Sequence, residues 1–451
     1  MEQQFLVGYD RQVITPEESI PLGGYSNEPK RFHNRITEDI CATAIALTDA
    51  QDNTVVLMAL DFVTNVDSIV GPAKERICSQ LGLREDRVYI TVSHTHSGPG
   101  FAMEEHPGIQ KFIAQTQEKM LEAVKNAMAD RKPAAMEVGS LETKNMNFIK
   151  HYKAKDLKTG EISYIGDQFG TVQGKRLVSH ATVVDPTMHS LRFTREGGKD
   201  VVVVNFRAHP HFTGGYAKYD LSSDYIGAFR MALEAMCDCH AAYFQGACGN
   251  VNSSTRMFDE RVFSTCRSYG TALAAFALEG LGNHMISTPT GTIRTVRGTM
   301  QGELYRAPEA LREPAQMIRR VWAENFDRDE CVRLGEPYGI RGPYHAGAIL
   351  NSYNRPPESG KIEINAVAIG DQFAFVTYPG EMFDSISARM EENSPFYTTM
   401  MLGYAEHNVS YLPSRVAYKY TSYETDITRF ACGTGEKVAD FQVQLLEQLK
   451  K

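Results

Sequence analysis

Apolar residues recur along the whole chain in two patterns, short runs that end at turn residues and longer runs with helical spacing. The short runs are rich in Val, Ile, Ala and Phe and stop at Gly, Pro, Asn or Asp, which is typical of buried strands. They predict strands at residues 41–47, 54–59, 87–93, 136–139, 201–207, 241–245, 291–298, 362–369, 372–378 and 398–404. The longer runs predict helices at residues 67–83, 109–130, 262–281, 308–326 and 436–449, and one that ends near Met236.

This succession of strands and helices predicts an α/β fold with mixed β-sheets flanked by helices. No internal repeat or linker divides the chain, so we expect a single domain over residues 1–451, built of one or two lobes. Residues 150–174 and 337–360 are rich in Gly, Asp, Lys, Pro, Tyr or Asn. We expect both segments to be loops that border a site.

Composition limits the partners and the compartment. The chain has 451 residues, of which 42% are hydrophobic and 23% charged, and its net charge is −8. It can therefore bury a sizeable core, and it offers no concentrated basic surface for nucleic acid. No segment reaches the roughly 20 apolar residues of a membrane span, and the N-terminus lacks the features of a signal peptide. We expect a cytoplasmic protein with a small-molecule partner, and its oligomeric state stays open.

The strand at residues 87–93 runs directly into His-Thr-His-Ser-Gly-Pro-Gly at 94–100. Residues two apart in an extended chain face the same way, so His94 and His96 can point into one site. Strand ends are where α/β folds usually build their sites. The alternative is one packed and one exposed histidine, but the position between a strand and a glycine turn favours a metal site at the strand end.

Four other strands also lead into residues of the types that bind metals or substrates. These residues are His209 in Arg-Ala-His-Pro-His, Glu381 in Tyr-Pro-Gly-Glu, Tyr411 in the segment after residue 404, and Asn250 and Asn252 in Gly-Asn-Val-Asn. Five such strand ends indicate one shared cleft. Zinc suits this set because it binds imidazole and carboxylate and lowers the pKa of a bound water to about 7.

A second metal-like motif, Cys-Asp-Cys-His at residues 237–240, lies just after the helix that ends near Met236. No further Cys or His pair follows at zinc-finger spacing. The eight cysteines of the chain fit reduced, mostly buried thiols. We therefore interpret this motif as structural.

With these motifs, the sequence resembles the neutral/alkaline ceramidase family over nearly the whole of that family's catalytic domain. The resemblance extends from Pro-Leu-Gly-Gly-Tyr at 21–25 to Phe-Ala-Cys-Gly-Thr-Gly-Glu at 430–436, and the run at 94–100 is its most specific element. It implies a Zn²⁺ ion held by four residues: His94, His209, Glu381 and Tyr411. Three other tyrosines compete with Tyr411 for this role, namely Tyr404, Tyr420 and Tyr423. A packed-aromatic role for Tyr411 also stays open.

The resemblance further implies that His96 contacts the substrate or the reacting oxygen, and an imidazole suits proton transfer near neutral pH. Two positions depart from the family. Asn252 stands where the family has a serine that is sometimes proposed as the nucleophile, which favours attack by metal-activated water. Lys150 stands where the family has a substrate-contacting arginine, and a lysine lacks the planar fork of the arginine guanidinium. His96, Asn252 and Lys150 are thus the catalytic candidates.

Secreted members of the family carry a leader and a C-terminal β-sandwich domain, neither of which we expect here. Two smaller hypotheses concern the polar residues of the site. Asn250 and Asn252 are hydrogen-bond donors or turn formers, and Asp61 orients a ligand histidine.

The function implied by the resemblance is zinc-dependent hydrolysis of an N-acyl amide bond. Its substrate is open between a lipid such as ceramide, a short amide, and a cyclic or sugar-linked amide or ester. Metallo-β-lactamases need Asp-His soon after the His-x-His motif, and TIM-barrel amidohydrolases place that motif at their first strand, so both fit less well. From another class, the alternative is a non-catalytic scaffold that still binds zinc.

Overall fold

The computed structural model describes residues 5–25, 31–103, 105–166, 174–255, 257, 263–289, 291–420 and 422–450. Its α-helices are α1 Asp67–Leu81, α2 Pro107–Ala129, α3 Phe212–Tyr216, α4 Asp224–Met236, α5 Cys266–Asn283, α6 Arg312–Asn325, α7 Arg328–Gly335, α8 Pro343–Asn354, α9 Asp384–Glu392, α10 Tyr423–Ile427 and α11 Thr434–Lys450.

The strands contribute to two larger sheets and several small ones. They are β1 Leu6–Val13, β2 Arg35–Ile36, β3 Cys41–Thr48, β4 Thr54–Leu60, β5 Val88–Val92, β6 Lys132–Glu142, β7 Phe148–Ile149, β8 His151–Asp156, β9 Ile162–Gly166, β10 Lys175–His180, β11 Thr187–Arg195, β12 Asp200–Phe206, β13 Asp220–Leu221, β14 Cys239–Gln245, β15 Val251–Asn252, β16 Met285–Thr288, β17 Ile293–Gln301, β18 Lys361–Ile369, β19 Phe373–Thr377, β20 Glu381–Met382, β21 Thr398–Leu402 and β22 Tyr411–Leu412.

The main sheet has two halves, β14-β12-β11-β6 and β1-β3-β4-β5. β1 and β6 join them through two residue pairs at one end, and β16 pairs with a later part of β6. The outermost pairs, β4–β5 and β12–β14, are parallel, whereas the inner pairs are antiparallel. The second sheet has the order β17-β18-β19-β21, and its β19–β21 pair is parallel.

One core lies between the two sheets. It is built from apolar side chains of both, and the Tyr89 and Phe375 rings meet edge to face with centroids 5.4 Å apart. Such burial is the main stabilising contribution to a fold. Further members of this core are Phe5, Val7, Leu57, Phe193, Val203, Phe244, Val367 and Met400.

Helices cover the outer faces of the sheets. α1 and α2 pack on the β1-β3-β4-β5 half, and α4 and α5 pack on the β14-β12-β11-β6 half. α9 and α11 cover the second sheet, while α6, α7 and α8 form a smaller cluster around Trp322. The prediction of an α/β fold with mixed sheets flanked by helices is confirmed. No helix among the described residues is long and apolar enough to cross a membrane.

Two predicted loops are wrong. Residues 150–174 hold strands β8 and β9, which form a three-stranded antiparallel sheet with β10, while residues 167–173 lie outside the described residues. Residues 337–360 hold helix α8, in which Pro343 occupies the first turn. Proline is favourable there because the first N–H groups of a helix have no partner within it. The helix predicted at 308–326 is shorter, because residues 309–311 form a 3₁₀ turn before α6.

Candidate metal centre

The ends of several strands meet at one side of the two packed sheets. The His96 N–H after β5 donates to the Pro210 carbonyl after β12 at 2.9 Å. The Gly403 N–H after β21 donates to the carbonyl of Gln245, the last residue of β14, also at 2.9 Å. These hydrogen bonds bring together the turns in which the sequence placed its candidate ligands.

His94 is fixed in orientation by its own backbone and two neighbours. Its φ of +64° lies in the left-handed region, which is uncommon for a residue with a side chain and is often found at functional sites. Its Nδ1–H donates to the Val63 carbonyl at 2.5 Å, and its ring stacks on Tyr404 with centroids 4.2 Å apart. Because Nδ1 carries the proton, Nε2 presents a lone pair.

His209 is held in the same way. Its Nδ1–H donates to the Val251 carbonyl at 3.0 Å, which leaves a lone pair on Nε2. The backbone N–H of His209 donates to the same carbonyl, and His209 pairs with Asn252 in an isolated parallel bridge. The rings of His94 and His209 lie 4.8 Å apart, edge to face.

Glu381 completes the set from the second sheet's side. It lies opposite Tyr411 in the β20–β22 pair, and the Tyr411 side chain hydrogen-bonds to its carboxylate. Glu381 Oε2 lies 3.5 Å from His94 Nε2 and 3.6 Å from His209 Nε2. This oxygen is buried, and it accepts no hydrogen bond from any described residue.

The donor set fits a metal ion. Two imidazole lone pairs and a carboxylate oxygen face one another at distances too long for hydrogen bonds, so a cation would offset their mutual repulsion. One side-chain nitrogen from each of His94, His96 and His209 also lies within 4.8 Å of the other two. Imidazole and carboxylate are typical ligands of zinc. The binding of an ion, and the role of each ligand, stay predictions.

Burial keeps the imidazoles of this cluster neutral. It lowers the pKa of His94 to about 3, and nearby His209 and Lys150 act in the same direction, although Glu381 opposes them. Burial also lowers the pKa of His96 and His209 well below the ordinary value. Neutral imidazole is the form that binds metal ions. Burial raises the pKa of Glu381, while His94 and the Tyr411 hydrogen bond lower it.

His96 lies at the more accessible side of the cluster. It is half-buried, and its Nε2 lies 3.2 Å from His94 Nε2. Its ring meets Tyr25 edge to face at 5.4 Å, and its backbone carbonyl accepts a hydrogen bond from Arg31 at 2.7 Å. His211 lies further out, with its ring 6.3 Å from that of His96.

Lys150 is held beside the cluster by buried partners that the sequence did not indicate. Its ammonium lies 2.8 Å from Glu424 Oε1, and the other oxygen of Glu424 lies 2.8 Å from His151 Nε2. All three side chains are 2% exposed. The Lys150 ammonium also lies 5.6 Å from the centre of the Tyr411 ring, within cation–π range. Burial alone would raise the pKa of Glu424, but Lys150 and His151 hold it well below the ordinary value.

Asn250 and Asn252 both have structural partners. The Asn250 side-chain oxygen accepts the N–H of Asp384 at 2.8 Å, where α9 begins. Asn252 is buried and pairs with Phe148 in the β15–β7 ladder as well as with His209. The Asn250 side chain therefore helps to fix the start of α9, whereas Asn252 lies next to a candidate ligand and its catalytic role stays a prediction.

The hypothesis that Asp61 orients a ligand histidine is wrong. Asp61 pairs with Arg230 through two hydrogen bonds, of 2.6 and 3.1 Å, and accepts the N–H of Cys41. The backbone carbonyls of Val63 and Val251 orient the histidines instead. A backbone group leaves no signal in the sequence. For Glu424, the sequence signal is indirect, because a buried lysine such as Lys150 needs an opposite charge.

Arg207, two residues before His209, was also missed by the sequence reasoning. It is buried and pairs with three carboxylates, those of Asp185 (3.0 Å), Asp384 (3.3 Å) and Glu391 (2.7 Å). Asp384 and Glu391 belong to α9, so this network ties the turn that carries His209 to the helix that follows Glu381.

These features define an α/β protein with a buried histidine–carboxylate cluster at the strand ends. Its fold is that of two solved structures. One is described as neutral ceramidase from Pseudomonas aeruginosa, with a TM-score of 0.72 and 16% identity, covering 100% of this chain and 75% of that chain. The other is described as ceramidase complexed with C2, with a TM-score of 0.73 and 17% identity, covering 99% and 75%. The expected likeness to neutral ceramidase is thus confirmed at the level of the fold. No protein-family model and no curated protein sequence matches the chain.

Proposed function

We propose that this protein is a zinc-dependent hydrolase of the neutral ceramidase type, which cleaves an N-acyl amide bond with metal-activated water. The observation that carries the proposal is the convergence of His94 Nε2, His209 Nε2 and Glu381 Oε2. In this proposal Tyr411, hydrogen-bonded to Glu381, is the fourth ligand. The ceramidase fold supports the same reaction class. The cytoplasmic location and the single-domain organisation belong to the proposal too.

When bound, zinc supplies a Lewis acid that polarises a carbonyl and lowers the pKa of a water molecule. The protein's own side chains would transfer protons and stabilise the developing charge. His96 presents Nε2 to the cluster in its neutral form and can accept or return a proton there. The Lys150 ammonium, fixed by Glu424, can stabilise negative charge that develops on the amide oxygen. The buried ligands keep bulk water away and so strengthen these interactions.

The test combines metal content with amide hydrolysis. Wild type and variants, purified with zinc supplied, are analysed for bound metal and for amine release from N-acyl amines graded from acetyl to palmitoyl, with ceramide included. His94→Ala, His209→Ala and Glu381→Gln should lose both zinc and activity. His96→Ala should keep zinc and lose rate by about 10²–10⁴-fold, the usual contribution of a positioned acid or base.

His407→Ala is the matched control, because His407 is exposed and its ring pairs with Asp67 at 2.9 Å, away from the cluster. It should change neither property. Full activity in zinc-free His94→Ala would falsify the proposal. Stoichiometric zinc without turnover of any amide or ester would favour the non-catalytic scaffold. Release that rises with chain length would indicate a lipid amidase, and release confined to short or polar amides would indicate a different substrate class.

A further inference from the structure

Two cysteines away from the candidate metal centre are in contact where α4 leads into β14. Cys237 Sγ lies 3.3 Å from Cys239 Sγ. The N–H of Cys239 donates to the carbonyl of Cys237 at 2.9 Å, which makes Asp238 the centre of a γ-turn. This turn brings the backbones of Cys237 and Cys239 together. Because the two residues are two positions apart, their side chains project to the same side. The backbone thus brings two thiols to the same place without help from distant residues.

The pair adjoins a cavity of about 400 Å³, lined by both cysteines together with Arg192, Leu278 and Gly282. Asp238, between the cysteines, has a side chain that is 82% exposed. Cys237 is half-buried, whereas Cys239 is buried. Both thiols border the cavity, and a small reagent in it reaches the half-buried Cys237 more readily than the buried Cys239.

We propose that Cys237 and Cys239 form a dithiol redox site, which closes into a reversible intramolecular disulfide by exchange with a small disulfide such as oxidised glutathione. Closure requires the sulfurs to approach from 3.3 Å to about 2 Å. The site lies at the start of β14, whereas Asn250 and Asn252 follow the other end of that strand. It is therefore separate from the histidine cluster and independent of the proposed hydrolase function.

The exchange has two steps. Cys237 loses its proton, and its sulfur attacks the small disulfide, which forms a mixed disulfide and releases one small thiolate. Cys239 then loses its proton and attacks the Cys237 sulfur, which forms the Cys237–Cys239 bond and releases the second small thiolate. The two protons lost by the protein end on the two released thiolates. The protein dithiol is oxidised, and the small disulfide is reduced to two thiols.

The surroundings set the order of these steps. Burial raises the pKa of the Cys239 thiol, and the adjoining Cys237 raises it further, so Cys239 is a poor first nucleophile. In the second step, Cys239 already lies beside the sulfur that it attacks. Such proximity compensates for weak ionisation, because the reaction is effectively intramolecular.

The full-length protein is equilibrated in glutathione buffers of rising oxidised-to-reduced ratio, quenched with acid and alkylated. Chymotryptic cleavage at Tyr243 or Phe244 separates the pair from Cys248, and mass spectrometry then reads each thiol. The peptide with Cys237 and Cys239 should lose two hydrogens and escape alkylation, and dithiothreitol should reverse this. Cys432 is an exposed single thiol and should accumulate the mixed disulfide in the same samples.

Two serine variants, each checked for wild-type circular dichroism, test the order of attack. Cys239→Ser should accumulate glutathione on Cys237, because no second thiol resolves it. Cys237→Ser should carry none on Cys239, which is 3% exposed. The proposal is overturned if both cysteines are alkylated at every ratio that modifies Cys432. It is equally overturned if the wild type retains an unresolved mixed disulfide at Cys237.

Discussion

At the residue scale, the character of the site depends on which nitrogen of each histidine carries the proton. The carbonyls of Val63 and Val251 occupy the Nδ1–H groups of His94 and His209 and so turn both Nε2 lone pairs toward Glu381. A partner behind the ring fixes both its tautomer and its orientation, as in established metal sites. The left-handed backbone of His94 contributes to the same placement.

The buried ion pair beside this cluster gives a stability prediction. Glu424→Gln keeps the shape of the side chain and removes its charge, so the Lys150 ammonium is left buried without compensation. We expect a loss of about 3–5 kcal/mol in the free energy of unfolding, the usual effect of breaking a buried pair. The measurement is urea denaturation at pH 7, followed by circular dichroism.

The double variant Lys150→Met/Glu424→Gln separates lost charge compensation from lost packing. Because it removes both charges, it should be more stable than Glu424→Gln alone. Glu118→Gln serves as the surface control, since Glu118 pairs with Arg76 in water and should stay close to wild type. Equal losses in the single and double variants would show that the pair contributes only through packing.

At the element scale, the strands that are apolar on both faces were predicted, whereas β8 and β11, which carry polar residues, were missed. β5 and β19 read as continuous apolar runs because helices or a second sheet cover both of their faces. β11 alternates polar and apolar residues, and β8 mixes lysine into its pattern, so both resemble loops in composition. α8 was missed because its proline and glycines suggest a turn, whereas its packing on α6 supports the helix.

The network around Arg207 links elements of both sheets and predicts a pH effect. Burial alone would raise the pKa of Glu391, but Arg207 and His189 lower it from 4.5 to about 2. A carboxylate with a depressed pKa in the folded state stabilises the fold above its unfolded pKa, and this contribution is lost as the pH falls toward about 2. Glu391→Gln should therefore lose roughly 3 kcal/mol at pH 7, and the gap to wild type should narrow as the pH falls to 3.

Asp384, in the same network, has a pKa shift opposite in direction to that of Glu391. Burial raises its pKa from 3.8 to about 7, although Arg207 opposes this. Asp384 therefore contributes to the free energy of unfolding below a pH of about 4, and this contribution is lost as the pH rises through about 7. Asp384→Asn should gain stability relative to wild type between pH 4 and 8, as measured by thermal melting. Parallel pH profiles for Asp384→Asn and Glu391→Gln would contradict the assignment of charges in this network.

At the scale of the whole molecule, the candidate site belongs to neither sheet alone. His94 and His209 follow strands of the main sheet, whereas Glu381 and Tyr411 follow strands of the second sheet. The sequence predicted that ligand-type residues follow strands, because that pattern is local. It did not predict the contacts of Lys150 with Glu424, or of Asn250 with the start of α9, because these depend on how distant segments pack.

The packing between the sheets should therefore control metal binding, if the proposed zinc site is correct. Phe375 in β19 meets Tyr89 in β5, and these strands lead to Glu381 and His94. Phe375→Ala should lower the free energy of unfolding by about 3–5 kcal/mol and also weaken zinc binding, because the cavity lets the two sheets shift. Zinc affinity is measured by competition with a chelating dye at a temperature where the variant remains folded.

Trp322→Ala is the matched control for this prediction. It removes a similar aromatic volume from the separate core of α6, α7 and α8, so its loss of stability should be comparable. None of the four candidate ligands belongs to that core, so the zinc affinity of Trp322→Ala should remain at the wild-type value. If both variants lose zinc equally, general destabilisation explains the effect. If Phe375→Ala alone loses zinc, the two sheets hold the ligands in register, and the interlayer core is part of what makes the site.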